Sequence, residues 1–460
     1  MDLKNDYFNV SREMLDTEMR KMTLFLYNNP FISISAIDEI IEKFNNFLGK
    51  FVTYTQSQMQ AKVKNEVSDV NYYKVQFILE DTKTMFKKFS TNFLRIKSYT
   101  KESQYIKPDL YEIGENNVFC KIDAENVEVK EKKIYAAHVP LKKTLEAYFS
   151  IPGMYQEIQN YVNEILKDDS CLSNVMQAEL WRTKYKDDNK IVFPLYRYND
   201  SFEAGNPLGS SAGEQSLEGI YVALGCLPPH LDGRTDHIFV STIVHNKNLK
   251  KFGNKNIFCK LIEDLNILSR EGNEVTVNNE VKKIYFESPF PLGDNLGLNA
   301  ALGFISSFSA NYYCRICYSP KELSQYLAIE DSSLLRTRES YEKDLIINDE
   351  SKTGIKEPCV FHAIDKQHVT ENRSVDVGHD ISGIAEYVIS KIMTNLVKSN
   401  ILLLHVVNNR IANFPYNDAE KKNKPKPLFF TTSKKGTSKI KVKQSFAQSL
   451  CLLRYLGLMV

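Results

Sequence analysis

Residues 288–318 read SPFPLGDNLGLNAALGFISSFSANYYCRICY and connect the end of a predicted strand to an acidic turn, an apolar helix and a Cys-x-x-Cys pair. Asp294 lies in the turn directly after the strand, where a short carboxylate is a candidate ligand for a divalent metal ion. Cys314 and Cys317 have the spacing of half a zinc site. Each feature needs partners from elsewhere in the chain.

The composition is that of a folded protein with scattered cysteines. The 460 residues are 43% hydrophobic and 25% charged, with a net charge of +2, which fits about two to four globular domains and excludes a disordered chain. The polar N-terminus lacks a signal peptide, and no apolar run is long enough to predict a membrane span. The eight cysteines form only one close pair, which favours metal-binding or buried thiols over disulfides.

The middle of the chain predicts an α/β fold with an RNase H-like mixed sheet core and flanking helices. In that fold the first and fourth strands are neighbours. Asp200 follows the first predicted strand and Asp294 the fourth, so we expect the two carboxylates to lie together; the structural alternative is that each is a turn aspartate that accepts backbone N–H groups. The predicted elements are strands 191–198, 217–227 and 237–245, helix 256–270, strand 281–287 and helix 298–308.

Changes in composition and hydrophobic periodicity divide the chain into four regions. These are a helical accessory region, the first part of the core, a zinc-binding and charged insertion, and a C-terminal helical part of the core, at 1–170, 185–312, 313–372 and 373–460. The last region ends in apolar residues without a helix stop signal. We therefore expect the core to be truncated there.

A catalytic site for phosphoryl transfer on DNA needs a third carboxylate, because two Mg²⁺ or Mn²⁺ ions about 4 Å apart share such ligands. Asp380 precedes a predicted helix, but that position also favours aspartate as a helix cap. Glu386 lies within the helix, roughly opposite the apolar stripe of Ile381, Ile384 and Val388. If the stripe packs on the sheet, Glu386 points away from the metals.

The cysteine pair, Cys314 and Cys317, needs two further ligands for a tetrahedral zinc ion. The alternative is that both are buried structural thiols. Candidate ligands downstream are Cys359, His362, His368 and His379.

A run of lysines marks the C-terminal region. It can contact DNA phosphates, since clustered positive charge supplies non-specific affinity for DNA, or it can form a solvated loop. The segment KKNKPK also has the composition of a nuclear import signal. Nine lysines occur between 421 and 443 without an acidic residue: 421, 422, 424, 426, 434, 435, 439, 441 and 443.

Several of these segments resemble a group of transposon-derived proteins found in animal genomes, which are similar to the transposases of CACTA (En/Spm-like) DNA transposons. The resemblance covers about 130–460 and is strongest at 193–245 and 290–318. It implies a nuclear, DDE-type, RNase H-like domain that nicks and joins DNA with two divalent metals, and a homo-oligomer is a further expectation. The segments are PLYRYNDSFEAGNPLGSSAG, GDNLGLNAALGFISSFSANYYCRIC, GIKEPCVFH, SVDVGHD and NNRIANFPY.

The resemblance also assigns site residues. The first two catalytic acids fall on Asp200 and Asp294, and the paired cysteines of a zinc-binding insertion fall on Cys314 and Cys317. Positions that recur in the relatives are matched by Cys359, His368 and His379.

This chain departs from the relatives at the third acid. They read His-Asp, two residues, then Glu-Gly, whereas residues 379–383 here read HDISG without the glutamate. Activity then requires Asp380 or Glu386 to substitute. The alternative function is a non-catalytic, zinc-containing DNA- or chromatin-binding protein that keeps only the fold.

Overall fold

The chain forms a mixed α/β protein, with fifteen α-helices, an eight-stranded sheet and a two-stranded sheet in the described residues. It divides into two units, Met1–Pro108 and Asp109–Val460. Among the described residues, no helix combines the length and apolar content that a membrane crossing needs. The computed structural model describes residues 12–62, 69–121, 127–168, 170–187, 189–205, 213–418, 420–432 and 438–460.

The first unit is helical, as the apolar stripes of its sequence predict. Its small core includes Ile41 and Phe89, both fully buried. Arg95 is also fully buried, and its guanidinium donates to Asp38 Oδ1 at 2.5 Å and to the carbonyl of Phe89 at 2.9 Å. Buried charge is stable only when it is paired in this way. The helices are Arg12–Tyr27 (α1), Ile34–Lys62 (α2), Asp69–Lys83 (α3) and Asn92–Lys101 (α4).

The second unit begins with a hairpin, so the region 1–170 is not helical throughout. Its strands are Asp109–Lys121 (β1) and Val127–His138 (β2), and β2 joins the main sheet by pairing with a later strand at Ala137↔Ile243 and His138↔Thr242. The unit boundary therefore lies at Pro108 rather than near residue 170. Three helices follow: Leu141–Phe149 (α5), Met154–Ile165 (α6) and Glu179–Lys184 (α7).

The predicted strand and helix order is found between residues 191 and 301, with two additional short strands. The order across the eight-stranded sheet is β1-β2-β5-β4-β3-β7-β6, and β8 pairs with β3. Strands β3, β4 and β5 are antiparallel neighbours, whereas β7 and β8 run parallel to β3. The elements are Ile191–Glu203 (β3), Ser216–Leu224 (β4), Ile238–His245 (β5), Asn246–Arg270 (α8), Asn273–Val277 (β6), Glu280–Glu287 (β7), Pro291–Leu292 (β8) and Asn295–Ala301 (α9).

The core of this unit lies between the sheet and α8. Phe193 and Leu195 of β3 alternate inward, and Ile257, Leu261 and Leu265 supply the buried face of α8. The spacing of the three α8 residues predicts this face, because positions three and four apart lie on one side of a helix. Burial of each such side chain stabilises the fold by about 1.5–3 kcal/mol. The strand ends are thereby held in fixed positions.

Residues 303–372 form an insertion of short helices after α9. Gly303 and Gly354 close it, with φ angles of 79° and 71°. A Cβ on Gly354 would lie 2.0 Å from the carbonyl oxygen of Tyr312, so only glycine fits this close approach. The helices are Lys321–Ser324 (α10), Arg338–Ile347 (α11) and Glu350–Thr353 (α12).

The C-terminal part has a separate core, and the buried face of its long helix differs from the predicted one. Helix α13 buries Ala385, Ile389 and Met393, whereas Ile384 and Val388 of the predicted stripe are exposed. The prediction was wrong because apolar residues occupy both sides of this helix, and the helix and hairpin that follow pack on the alanine side. The elements are Val377–Lys398 (α13), Leu404–Asn413 (α14), Phe429–Thr432 (β9), Ser438–Lys441 (β10) and Phe446–Tyr455 (α15).

Candidate functional site

Asp200 lies within β3, which continues to Glu203, so the expectation that this strand ends before Asp200 was wrong; Asp294 follows the neighbouring strand β8 by two residues. Strand β3 pairs in parallel with β8 at Arg197↔Pro291 and Tyr198↔Leu292. Continuing this register by two residues brings Asp200 level with Asp294, on strands about 4.8 Å apart. Both aspartates are exposed. The register therefore brings the backbone positions of the two aspartates near each other.

The turn that carries Asp294 is tightly packed. Asp294 caps α9, and its Oδ1 accepts the N–H of Gly297 at 2.5 Å. A methyl group on Gly297 would lie 3.1 Å from that oxygen and 4.0 Å from the carbonyl oxygen of Asn199, which belongs to β3. The cap fixes the side chain of Asp294 beside β3. Its other oxygen makes no hydrogen bond within the described residues.

Asp294 shares a cavity of about 560 Å³ with the start of α13, and we call it the carboxylate cavity. Glu386 lines this cavity; the stripe of Ile381, Ile384 and Val388, whose packing on the sheet would have directed Glu386 away from the metals, is exposed instead. The reason is the orientation of α13: Glu386 directly follows Ala385 on the buried side and is half-buried. The lining residues are Asp294, Asp376, Gly378, His379, Ser382, Gly383, Glu386 and Phe446.

Asp376, rather than Asp380, caps α13. Its carboxylate accepts the backbone N–H of His379 at 2.9 Å and that of Asn295 at 3.1 Å, and its Oδ2 lies 2.8 Å from His379 Nδ1. Asp376 is buried and links the first turns of α9 and α13. In the sequence, the cap role of Asp376 is indicated by its residue type and its position three residues before His379, whose N–H it accepts.

Asp380 lies on a different side of α13. It lines a neighbouring cavity of about 470 Å³ with Arg315, and its Oδ1 accepts from Asn295 Nδ2 at 2.8 Å. Burial lowers the pKa of Arg315, while the charges of Cys314 and Asp380 act in the opposite direction. Asp380 and Glu386, the two candidates for a third acid, therefore face different cavities.

Cys314 and Cys317 contact each other. The hydrogen bond between them lowers the pKa of Cys314 to about 5 and raises the pKa of Cys317, and the Ile316 N–H donates to Cys314 Sγ at 3.3 Å. A thiolate is the form of cysteine that binds zinc. Within the described residues, no histidine, cysteine or carboxylate forms a group of three with this pair inside 4.8 Å.

The remaining predicted zinc ligands are not gathered around the cysteine pair. Cys359 is buried, and its backbone N–H donates to the hydroxyl of Tyr341 at 2.9 Å. Burial raises the pKa of its thiol to about 11. His379 lies in the carboxylate cavity. In the part of the chain that the structure describes, no three of the predicted ligands approach within 4.8 Å of one another.

A different cluster has the geometry of a metal site. His362, His368 and Glu342 offer ligand atoms that all lie within 4.8 Å of one another, and the two imidazole rings stack at 4.3 Å. His368 is buried, its Nδ1 lies 2.7 Å from Thr370 Oγ1, and its Nε2 has no hydrogen-bond partner. Burial lowers the pKa of His362 to about 4 and also lowers that of His368. Two neutral imidazoles and a carboxylate are a zinc donor set.

Sequence reasoning identified His362 and His368 as candidate ligands but missed Glu342. Nothing in its spacing marks Glu342, because α11 alone brings it to the histidine pair.

Comparison with known proteins adds no family assignment. No model of a known protein family matches the chain, and no curated protein is significantly similar to it.

Proposed function

We propose that the second unit is an RNase H-like, DDE-type domain similar to CACTA transposases, which cleaves and joins DNA strands with two Mg²⁺ or Mn²⁺ ions. The strand arrangement supports this function: three antiparallel strands, β3 to β5, are followed by α8 and by strands parallel to β3. This order places the first and fourth strands side by side. The first two proposed acids are Asp200, which lies in β3, and Asp294, which follows β8.

The observation that carries the proposal is the parallel pairing of the strands that position Asp200 and Asp294, together with the cavity that Asp294 shares with Glu386. Asp200 lies in β3 and Asp294 follows β8 by two residues, and the ligand atoms of the three carboxylates do not all lie within 4.8 Å of one another. Carboxylates are the ligands that Mg²⁺ and Mn²⁺ prefer. When bound, the two ions activate the attacking oxygen and stabilise the leaving oxygen of the phosphodiester.

Glu386 takes the role of the glutamate that the relatives carry a few residues earlier. That glutamate would fall at Ser382 or Gly383, and both positions line the carboxylate cavity. Residues three and four apart lie on one side of a helix. Glu386 is therefore one turn, about 5.4 Å, further along the same face of α13.

One further carboxylate, Asp376, supports this arrangement. Asp376 fixes the start of α13 against the start of α9 by its bonds to His379 and Asn295. These contacts set the position of Glu386 relative to Asp294. We assign Asp376 as a positioning residue.

The test is Mn²⁺-dependent nicking of supercoiled plasmid by the full chain. Asp200→Asn and Asp294→Asn each remove a ligand charge and keep the shape, so we expect each to slow nicking at least about 100-fold, given that even residues behind metal ligands contribute 10- to 100-fold. Glu350→Gln, at an exposed position of α12, is the matched control and keeps the wild-type rate. Equal rates in wild type and Asp294→Asn contradict the proposal.

The second candidate is a non-catalytic DNA-binding protein of the nucleus that keeps the fold and a structural zinc ion. It is favoured by the absent glutamate at 382–383 and by the cluster of Glu342, His362 and His368. In that case wild type binds DNA and nicks it no faster than Asp294→Asn. The same nicking series therefore separates the two functions.

A further inference from the structure

Residues 439–443, which comprise the end of β10 and the two residues after it, form a segment with two distinct faces, and we call it the lysine strand. Lys439, Lys441 and Lys443 are exposed, whereas Ile440 and Val442 between them are buried. Alternate residues of a strand point to opposite faces. Lys439 and Lys441 therefore share one face, about 6.6 Å apart along the strand, and the alternation of exposed and buried residues continues to Lys443.

The lysine strand is fixed to the helix that carries Glu386. The backbone of Ile440 is bonded on both sides to α13: its carbonyl accepts from Ser390 Oγ at 2.5 Å and its N–H donates to Thr394 Oγ1 at 2.9 Å. Ser390 is one helical turn after Glu386. At its other end the strand leads to Phe446, which lines the carboxylate cavity.

No acidic group in the part of the chain that the structure describes neutralises the charges of the lysine strand. Within the described residues, none of Lys439, Lys441 and Lys443 makes a side-chain hydrogen bond or ion pair, and the sequence from 421 to 443 contains no acid. In the paired strand β9, Phe429 lies opposite Lys441, so it shares the lysine face, and it is 43% exposed. An aromatic ring among unpaired cations is typical of nucleic-acid-binding surfaces.

We propose that Lys439, Lys441 and Lys443 bind successive phosphates of the DNA backbone beside the carboxylate cavity. This inference rests on the proposed function and adds the path of the substrate. The strand is at most three residues from Phe446, which is about 11 Å of chain. DNA held there lies within reach of the carboxylates.

The experiment measures the salt dependence of DNA affinity by anisotropy of a labelled duplex with the full chain. Each lysine that neutralises a phosphate contributes about 0.9 to the slope of log K against log salt. The triple variant K439Q/K441Q/K443Q should lower that slope by about 2.7 and weaken binding most at low salt.

Two controls make the result specific. K132Q/K142Q/K143Q removes the same charge from exposed lysines outside the lysine strand and should keep the slope. The triple Lys→Arg variant of the lysine strand keeps the charge and should restore it, which excludes misfolding as the cause.

The outcomes separate this inference from the proposed function. An unchanged slope in K439Q/K441Q/K443Q overturns the phosphate path, even if the wild type nicks DNA. A reduced slope without any Mn²⁺-dependent nicking supports the path and contradicts the catalytic function. Equal slope losses in the two triple glutamine variants show a diffuse charge effect and overturn the path as well.

Discussion

The candidate metal ligands near the strands β3 and β8 and those in the segment 303–372 are assembled differently. Asp200 and Asp294, 94 positions apart in the sequence, are brought near each other by the parallel pairing of β3 and β8. In the segment 303–372, Cys314 and Cys317 contact each other, and His362 and His368 meet Glu342 instead. Regular hydrogen bonding fixes positions that are distant in sequence, whereas a compact insertion depends on individual polar contacts.

Arg336 makes several of those polar contacts. Its guanidinium is fully buried, donates to Asp344 at 3.0 Å, and also bonds the carbonyl oxygens of Cys314 and Thr353. It therefore connects the cysteine pair to α11 and α12. Four predictions test the contrast between the insertion and the cavity.

The largest expected effect is on stability. Arg336→Met leaves Asp344 as a buried, unpaired charge, so we expect a loss of about 3–5 kcal/mol in unfolding free energy. Arg338→Met removes an exposed pair with Glu371 and should cost less than about 1 kcal/mol. Urea unfolding followed by Trp181, the single tryptophan and a buried residue of this unit, measures both. Similar losses would show that the insertion does not depend on Arg336.

The next effect concerns the two faces of α13. Glu386→Gln should slow Mn²⁺-dependent nicking at least about 100-fold, whereas Asp380→Asn should leave the rate nearly unchanged, because Asp380 lines the other cavity. The reverse ranking would make Asp380 the third acid and would contradict the assignment of Glu386.

Zinc binding tests the separation of the cysteine and histidine pairs. His368→Ala should weaken zinc binding by about 10- to 100-fold or more, because it removes one of three converging ligands. Cys317→Ser should have little effect on that site. Competition with a chromophoric chelator measures both affinities. Equal losses would mean that the four side chains share one ion, which contradicts their separation in the structure.

The smallest effect is the pH dependence of stability. The pKa of His362 falls from its ordinary 6.5 to about 4 through burial, with contributions from His368 and Arg338. The unfolded chain then binds protons first, so stability is lost as pH falls from about 6.5 towards 4. In chelator-treated protein, the urea midpoint should drop between pH 7 and pH 5.

His362→Gln removes this titration and should reduce the slope of the curve in that range, and the remaining slope comes from His368, whose pKa burial also lowers. Carboxylates such as Glu371, whose pKa is lowered to about 2 by its bond to Arg338, affect stability only at lower pH. An identical pH dependence in His362→Gln and wild type would assign the effect to other groups.

The sequence predicted the strand order, because alternating strands and turn residues are local signals. It did not predict the buried face of α13. Apolar residues occur on both sides of that helix, so periodicity alone favoured Ile384 and Val388 over Ala385 and Ile389. The orientation of Glu386 followed the same error.

The sequence by itself determined which residue types are present at the strand ends, the single close cysteine pair and the lysine run free of acids. Only the tertiary structure decided which side chains share a cavity. It placed Glu386 with Asp294, Asp380 apart from them, and Glu342 with the histidine pair. The physical reason is that helix orientation is set by packing against other elements, and those contacts have no local signal in the chain.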